Sequence, residues 1–149
     1  MRKDVRAARG ARRLVVVGIA VATTFGCASL RDGEDAQRLA GADWRLSELS
    51  GRSAIPTEVS RRPWLRFEPD SGRVSGSAGC NRVTGPFTTD RGAIRFGLLA
   101  ATTMACLDEA LTRQEDDFLA MLSSVNRYDL EGDTLLLLRG EDVVARFVH

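Results

Sequence analysis

The chain has 149 residues, with 21 Lys and Arg against 20 Asp and Glu, and a single His at its C-terminus. That length allows one domain, and the near-neutral balance argues against nucleic acid as a partner, which calls for a dense basic face. The lone His149 argues against a His-dependent triad or a His-based zinc site.

The first 26 residues differ in kind from the rest. Arg2, Lys3, Arg6, Arg9, Arg12 and Arg13 face only Asp4, Leu14 to Ala22 is an apolar run, and small or weakly polar residues lead to Gly26-Cys27. A basic region, a short apolar core and a small-residue exit predict a secretory signal over residues 1–26. The apolar run falls short of the roughly 20 residues of a membrane-spanning helix. Removing this segment leaves 15 basic and 19 acidic residues, a net charge of −4. Gly26-Cys27 fits a bacterial lipobox, in which the Cys thiol is lipidated and the new N-terminus acylated, as with palmitate. Thr24 and Phe25 depart from the usual Leu and Ala or Ser, so ordinary cleavage near Gly26 to Ser29, releasing a soluble periplasmic protein, is the alternative. Acyl chains on Cys27 would anchor firmly, at about 0.8 kcal/mol per buried CH₂. Residues 27–42 are polar and charged with little apolar patterning, and predict a flexible tether.

From Asp43 the pattern has period two. Trp44, Leu46 and Leu49 alternate with polar residues as in a half-buried strand. Trp64 to Phe67 and Arg73 to Ser77 form a hairpin around Pro69-Asp70-Ser71-Gly72, a cluster in which Pro sets φ and Gly tolerates positive φ. Further strands are expected at Gly85 to Thr89, Ala93 to Phe96, Arg127 to Leu130, Thr134 to Arg139 and Val143 to Val148, separated by Gly- and Asp-containing turns. Many short strands with frequent turns indicate an antiparallel sandwich or barrel. One segment breaks the pattern. Leu111, Phe118, Leu122 and Val125 recur at helical spacing, predicting an amphipathic helix between Asp108 and Val125. Thr112 to Glu115 has capping-box spacing, and Asp108 is a rival start. Glu115, Asp116 and Asp117 are expected near the helix start, where its dipole favours acids.

Cys80 and Cys106 are the two Cys after Cys27. In an oxidising compartment two Cys in a small domain suggest one disulfide, closing a loop worth about 3–4 kcal/mol in the chain-entropy model. Two buried free thiols or a redox pair are the other readings, although the spacing is not C-x-x-C.

At these cysteines the sequence resembles the META domain family, also called HslJ-like. The resemblance is carried by Val74 to Arg82 with its Gly79-Cys80-Asn81 core, then Gly85 and Phe87, then Thr102-Thr103-Met104-Ala105-Cys106. It continues through Glu115-Asp116-Asp117-Phe118-Leu119, with Trp44-x-Leu46 at the start and Gly132 to Leu135 near the end. It covers residues 43–148. Thr103 stands where the family often has Arg, so a role for that Arg does not carry over. The resemblance implies a mainly β, compact antiparallel barrel-like fold with one helix over 43–149. It also implies attachment to bacterial lipoproteins, association with envelope or heat stress, and no established enzymatic activity.

The motif residues have structural readings first. Gly76, Gly79 and Gly85 permit bends in curved strands, and Asn81 suits a hydrogen bond to its own backbone at a turn. A ligand or partner surface at Gly79, Asn81 and Arg82 is the sharper alternative. No Gly-rich phosphate loop precedes a helix, and Lys3, the only Lys, lies in the signal. Glu68 and Asp70 flank a turn, where solvated charge is the ordinary case. The expected protein is therefore a non-catalytic, lipid-anchored envelope protein without metal or cofactor, held to the membrane through Cys27 and binding an envelope protein or small ligand. The alternatives are a thiol-dependent periplasmic protein using Cys80 and Cys106, and an inhibitor of a periplasmic hydrolase.

Overall fold

The computed structural model describes residues 27–40, 42–55 and 61–149, with side chains of the first helix from Glu34 onward. The signal expected over 1–26, the Cys27 side chain and the loop residues 56–60 with Pro56 lie outside the described residues.

Period-two alternation places Trp44, Leu46 and Leu49 of β1 (Trp44–Leu49) on one buried face. The same rule orients Leu65 and Phe67 of β3 (Trp64–Glu68), and Val74 of β4 (Arg73–Ser77), toward the interior. The β3–β4 hairpin keeps strict register from Trp64 opposite Ser77 to Glu68 opposite Arg73. Its connection is a 3-10 turn, Pro69–Ser71, ended by Gly72 at φ 62°. The chain continues through β5 (Arg82–Asp90) and β6 (Ala93–Phe96), then β8 (Arg127–Glu131), β9 (Thr134–Arg139) and β10 (Asp142–Val148). All neighbours are antiparallel, in the order β10-β9-β8-β6-β5-β4-β3-β1, and pairing of β1 with β10 closes the ring. The fold is thus the expected mainly β barrel, with eight strands in the wall. Closure removes the exposed edges of an open sheet. Two short strands are appended: β2 (Arg52–Ser53) on β1, and β7 (Ala100–Ala101) on β5.

The inward residues build one core, including Trp44, Phe67, Ile94, Leu135, Leu137 and Phe147. Helices close its two ends. The helix α2 (Glu109–Ser124) presses Phe118 and Leu122 into the end nearest the β4–β5 connection, with the Phe118 and Phe147 rings 6.1 Å apart. The helix α1 (Cys27–Ala40) lies at the opposite end, beside β3 and the 3-10 turn. Leu39 is fully buried there. The Trp44 indole N–H donates to the Leu39 carbonyl at 2.9 Å, and the Arg38 guanidinium donates to the Gly132 carbonyl at 2.8 Å.

The one amphipathic helix expected within 43–149 is α2, whereas α1 corrects the expectation of a flexible tether over 27–42. Cys27–Ala40 is helical, and its last turn packs against the domain. Among the described side chains it is docked by one buried leucine, one indole donor and one guanidinium bond, which a search for apolar periodicity does not register. Neither described helix is long and apolar enough to cross a membrane.

Candidate functional site

The three motif segments meet at one end of the barrel, and Asn81 and Glu115 join them. After β4 the chain passes through buried Ala78 and then Gly79 at φ 133°, a backbone conformation that side-chain-bearing residues rarely adopt. The following turn aims two successive backbone N–H groups, those of Cys80 and Asn81, at Glu115 Oε2, each at 2.8 Å. Paired backbone N–H groups of this kind form an anion-binding concavity. Here the anion is the protein's own carboxylate.

Glu115 reaches that position because of where α2 begins. Asp108, rather than Thr112, is the cap: its Oδ1 accepts from the Ala110 and Leu111 N–H groups at 2.7 and 3.2 Å. Glu115 then sits three residues before Phe118 and seven before Leu122, on the same buried stripe, and is 6 % exposed. The expectation that it serves as a helix-start acid is corrected accordingly. Its neighbour Gln114 is buried too and accepts the Ile55 N–H at 2.8 Å, joining α2 to the segment after β2.

Asn81, also 6 % exposed, does not fold back on its own turn. Its Oδ1 accepts from the Thr102 hydroxyl at 2.8 Å and the Met104 N–H at 2.6 Å. Its Nδ2 donates to the Met104 carbonyl at 3.1 Å and to Glu115 Oε1. Two donors and two acceptor positions are all that a side-chain amide has. The amide can face only one way, because the Met104 N–H needs an acceptor and the carboxylate needs a donor.

Beside this pair, Cys80 and Cys106 form a disulfide with Cα atoms 5.8 Å apart. Their sulfurs and a Glu115 carboxylate oxygen lie within 4.8 Å of one another. Sulfurs bonded to each other offer no thiolate, and both carboxylate oxygens accept N–H donors, so the trio does not form a metal-ligand set. The residues expected as one binding surface are split. Asn81 is consumed internally, Gly79 is half-buried, and only Arg82 presents its side chain to solvent. Gly85 allows a close approach: a Cβ there would stand 2.7 Å from Leu99 Cδ2 and 2.9 Å from the Leu98 carbonyl oxygen. On the outer face of β3, the Asp43 carboxylate accepts two hydrogen bonds from Arg66 and raises its pKa above the ordinary guanidinium value.

A closed eight-stranded antiparallel barrel, capped by a helix whose carboxylate is tied to a G-C-N turn, defines a small β-barrel class. The profile of the META domain matches residues 37–149, and the chain belongs to that family. The match begins inside α1, where the packing also begins. No curated protein matches the chain. Among solved structures, a protein from Burkholderia xenovorans determined by NMR is similar at 23 % identity and TM-score 0.61, over 77 % of this chain and 86 % of that one. A second NMR structure matches at 23 % identity and TM-score 0.60, over 76 % and 93 %. A DUF4847 family protein from Bacteroides vulgatus matches at 15 % identity and TM-score 0.55, over 74 % and 94 %. At these identities the likeness concerns the fold alone.

Proposed function

We propose that this META-domain protein is exported, anchored to the bacterial envelope through a lipid on Cys27, and acts there as a non-catalytic binding module. The observation that carries the non-catalytic reading is the engagement of the motif polar groups. Asn81, Glu115 and Thr102 all direct their side chains at one another or at backbone, leaving none poised toward a substrate. Export is supported by the basic and apolar order of residues 1–26, and the Cys80–Cys106 bond suits an oxidising compartment. The thiol-dependent reading is the less supported, because both sulfurs are joined in one bond and the spacing is not C-x-x-C.

Mass spectrometry of the mature N-terminus, with membrane fractionation, tests the anchor. The expected result is an acylated Cys27 in the membrane fraction, with Cys27→Ser shifting the protein to the soluble periplasmic fraction. An unmodified N-terminus beyond Cys27 would overturn it.

A further inference from the structure

Residues 97–107 reverse the usual arrangement of a folded chain. None of the eleven is charged, and Leu98, Met104 and Leu107 are 93 %, 68 % and 102 % exposed. Single exposed apolar residues are ordinary, whereas several on one segment mark an interaction surface.

The main chain beneath them is fixed. The Gly97 N–H donates to the Pro86 carbonyl at 2.9 Å, Ala100 and Ala101 pair with Thr84 and Val83, and the Thr102 N–H donates to the Arg82 carbonyl at 3.1 Å. Met104 is held at both its N–H and its carbonyl by the Asn81 amide, and Cys106 is held by the disulfide. Leu99 packs over Gly85 while Leu98 points to water. A buried amide, a buried carboxylate and a disulfide thus hold apolar side chains outward along the flank of β5.

Cations border the strip. Arg95 precedes it and Arg82 runs beside it; both are exposed, and neither forms an ion pair among the described residues. Of the two acids that follow the strip, Asp108 is engaged in capping α2.

We propose that this strip docks the barrel on an anionic bilayer, with Leu98, Met104 and Leu107 entering the headgroup–acyl boundary and Arg82 and Arg95 meeting lipid phosphates. Exposed apolar residues beside two cations that form no ion pair among the described residues match both layers of such a surface. If the Cys27 lipid proposed above is present, α1 limits the separation as well. At 1.5 Å per residue its 14 residues span about 21 Å, so the barrel stays close to the bilayer.

The test uses the mature chain with Cys27→Ser, so that no lipid contributes and failure of the anchor reading cannot be confused with failure of this one. Sedimentation with phosphatidylglycerol vesicles should show binding, and phosphatidylcholine vesicles should bind at least about tenfold more weakly. The triple variant Leu98→Ser/Met104→Ser/Leu107→Ser should lose about 100-fold or more in affinity. Arg82→Gln/Arg95→Gln should lose about tenfold and much of the lipid preference. All five side chains are exposed, and unchanged thermal unfolding confirms that the variants fold. No binding to phosphatidylglycerol, or binding that the triple variant retains, overturns the proposal. A surface for another protein would give that result.

Discussion

The two ends of the barrel are closed by opposite means. At the α1 end one leucine is buried, an indole N–H reaches a carbonyl five residues away, and the long-range bond from Arg38 to the Gly132 carbonyl is exposed to solvent. At the α2 end a carboxylate, an amide and a disulfide join segments separated by 34, 23 and 26 residues. Chain closure over the longer spans is entropically dearer, and apolar burial alone is non-directional. A helix next in sequence to its strand needs little more than burial to dock. The stretch 97–108 must instead be set at a defined height along β5, and directional bonds do that.

If that contrast holds, the largest loss of stability comes from Glu115. Glu115→Ala removes the acceptor from the Cys80 and Asn81 N–H groups and from Asn81 Nδ2. Hydrogen bonds to a charged group are worth about 1.5–3 kcal/mol each and do not add fully, so a loss of about 4 kcal/mol is expected in urea unfolding. Glu115→Gln should lose less, because an amide still accepts at one oxygen. A loss below about 1 kcal/mol for Glu115→Ala would mean that burial of Phe118 and Leu122, rather than the polar pair, closes this end.

The disulfide comes next. Cys80→Ser/Cys106→Ser should cost about 3 kcal/mol. Combined with Glu115→Ala, it should cost less than the two losses added together, since both changes free the same segment. Strict additivity, measured by a double-mutant cycle, would show that the staple and the polar pair act on separate parts of the fold.

Much of the barrel can be read from the sequence, because period-two alternation is local. Trp44 with Leu46, Leu65 with Phe67, and the turns at Gly72 and Gly132 each declare their strands without outside information. The disulfide is one of three readings that the two cysteines leave open in the sequence, and the structure selects it. Glu115 is harder, since it lies in the polar run Gln114 to Asp117 and looks solvated. One signal was there: its spacing of three and seven to Phe118 and Leu122 places it on the apolar stripe. The partners of Asn81, 21 to 34 residues away, leave no mark at any local period. The helix α1 escapes notice for a different reason. Among its described side chains only Leu39 is a buried apolar residue, and one residue makes no pattern.

The smallest of these effects tests the α1 end. Trp44→Phe keeps a ring in the core but leaves the Leu39 carbonyl without its donor and a small void, so a loss of about 2 kcal/mol is expected. The void and the carbonyl separate in a second background. Deleting the residues before Asp43 removes the acceptor, so Trp44→Phe in the shortened chain should cost only the void, about 1 kcal/mol. The deletion itself should destabilise the barrel by uncovering Trp44. If residues 27–42 acted only as a tether, the deletion would leave the unfolding midpoint unchanged, and Trp44→Phe would cost the same in both chains. Non-additivity here, together with that between Glu115 and the disulfide, would show that both ends are closed by cooperative contacts. The two ends would then differ in what makes those contacts: a leucine, an indole and an exposed guanidinium at one, a buried carboxylate, a buried amide and a disulfide at the other.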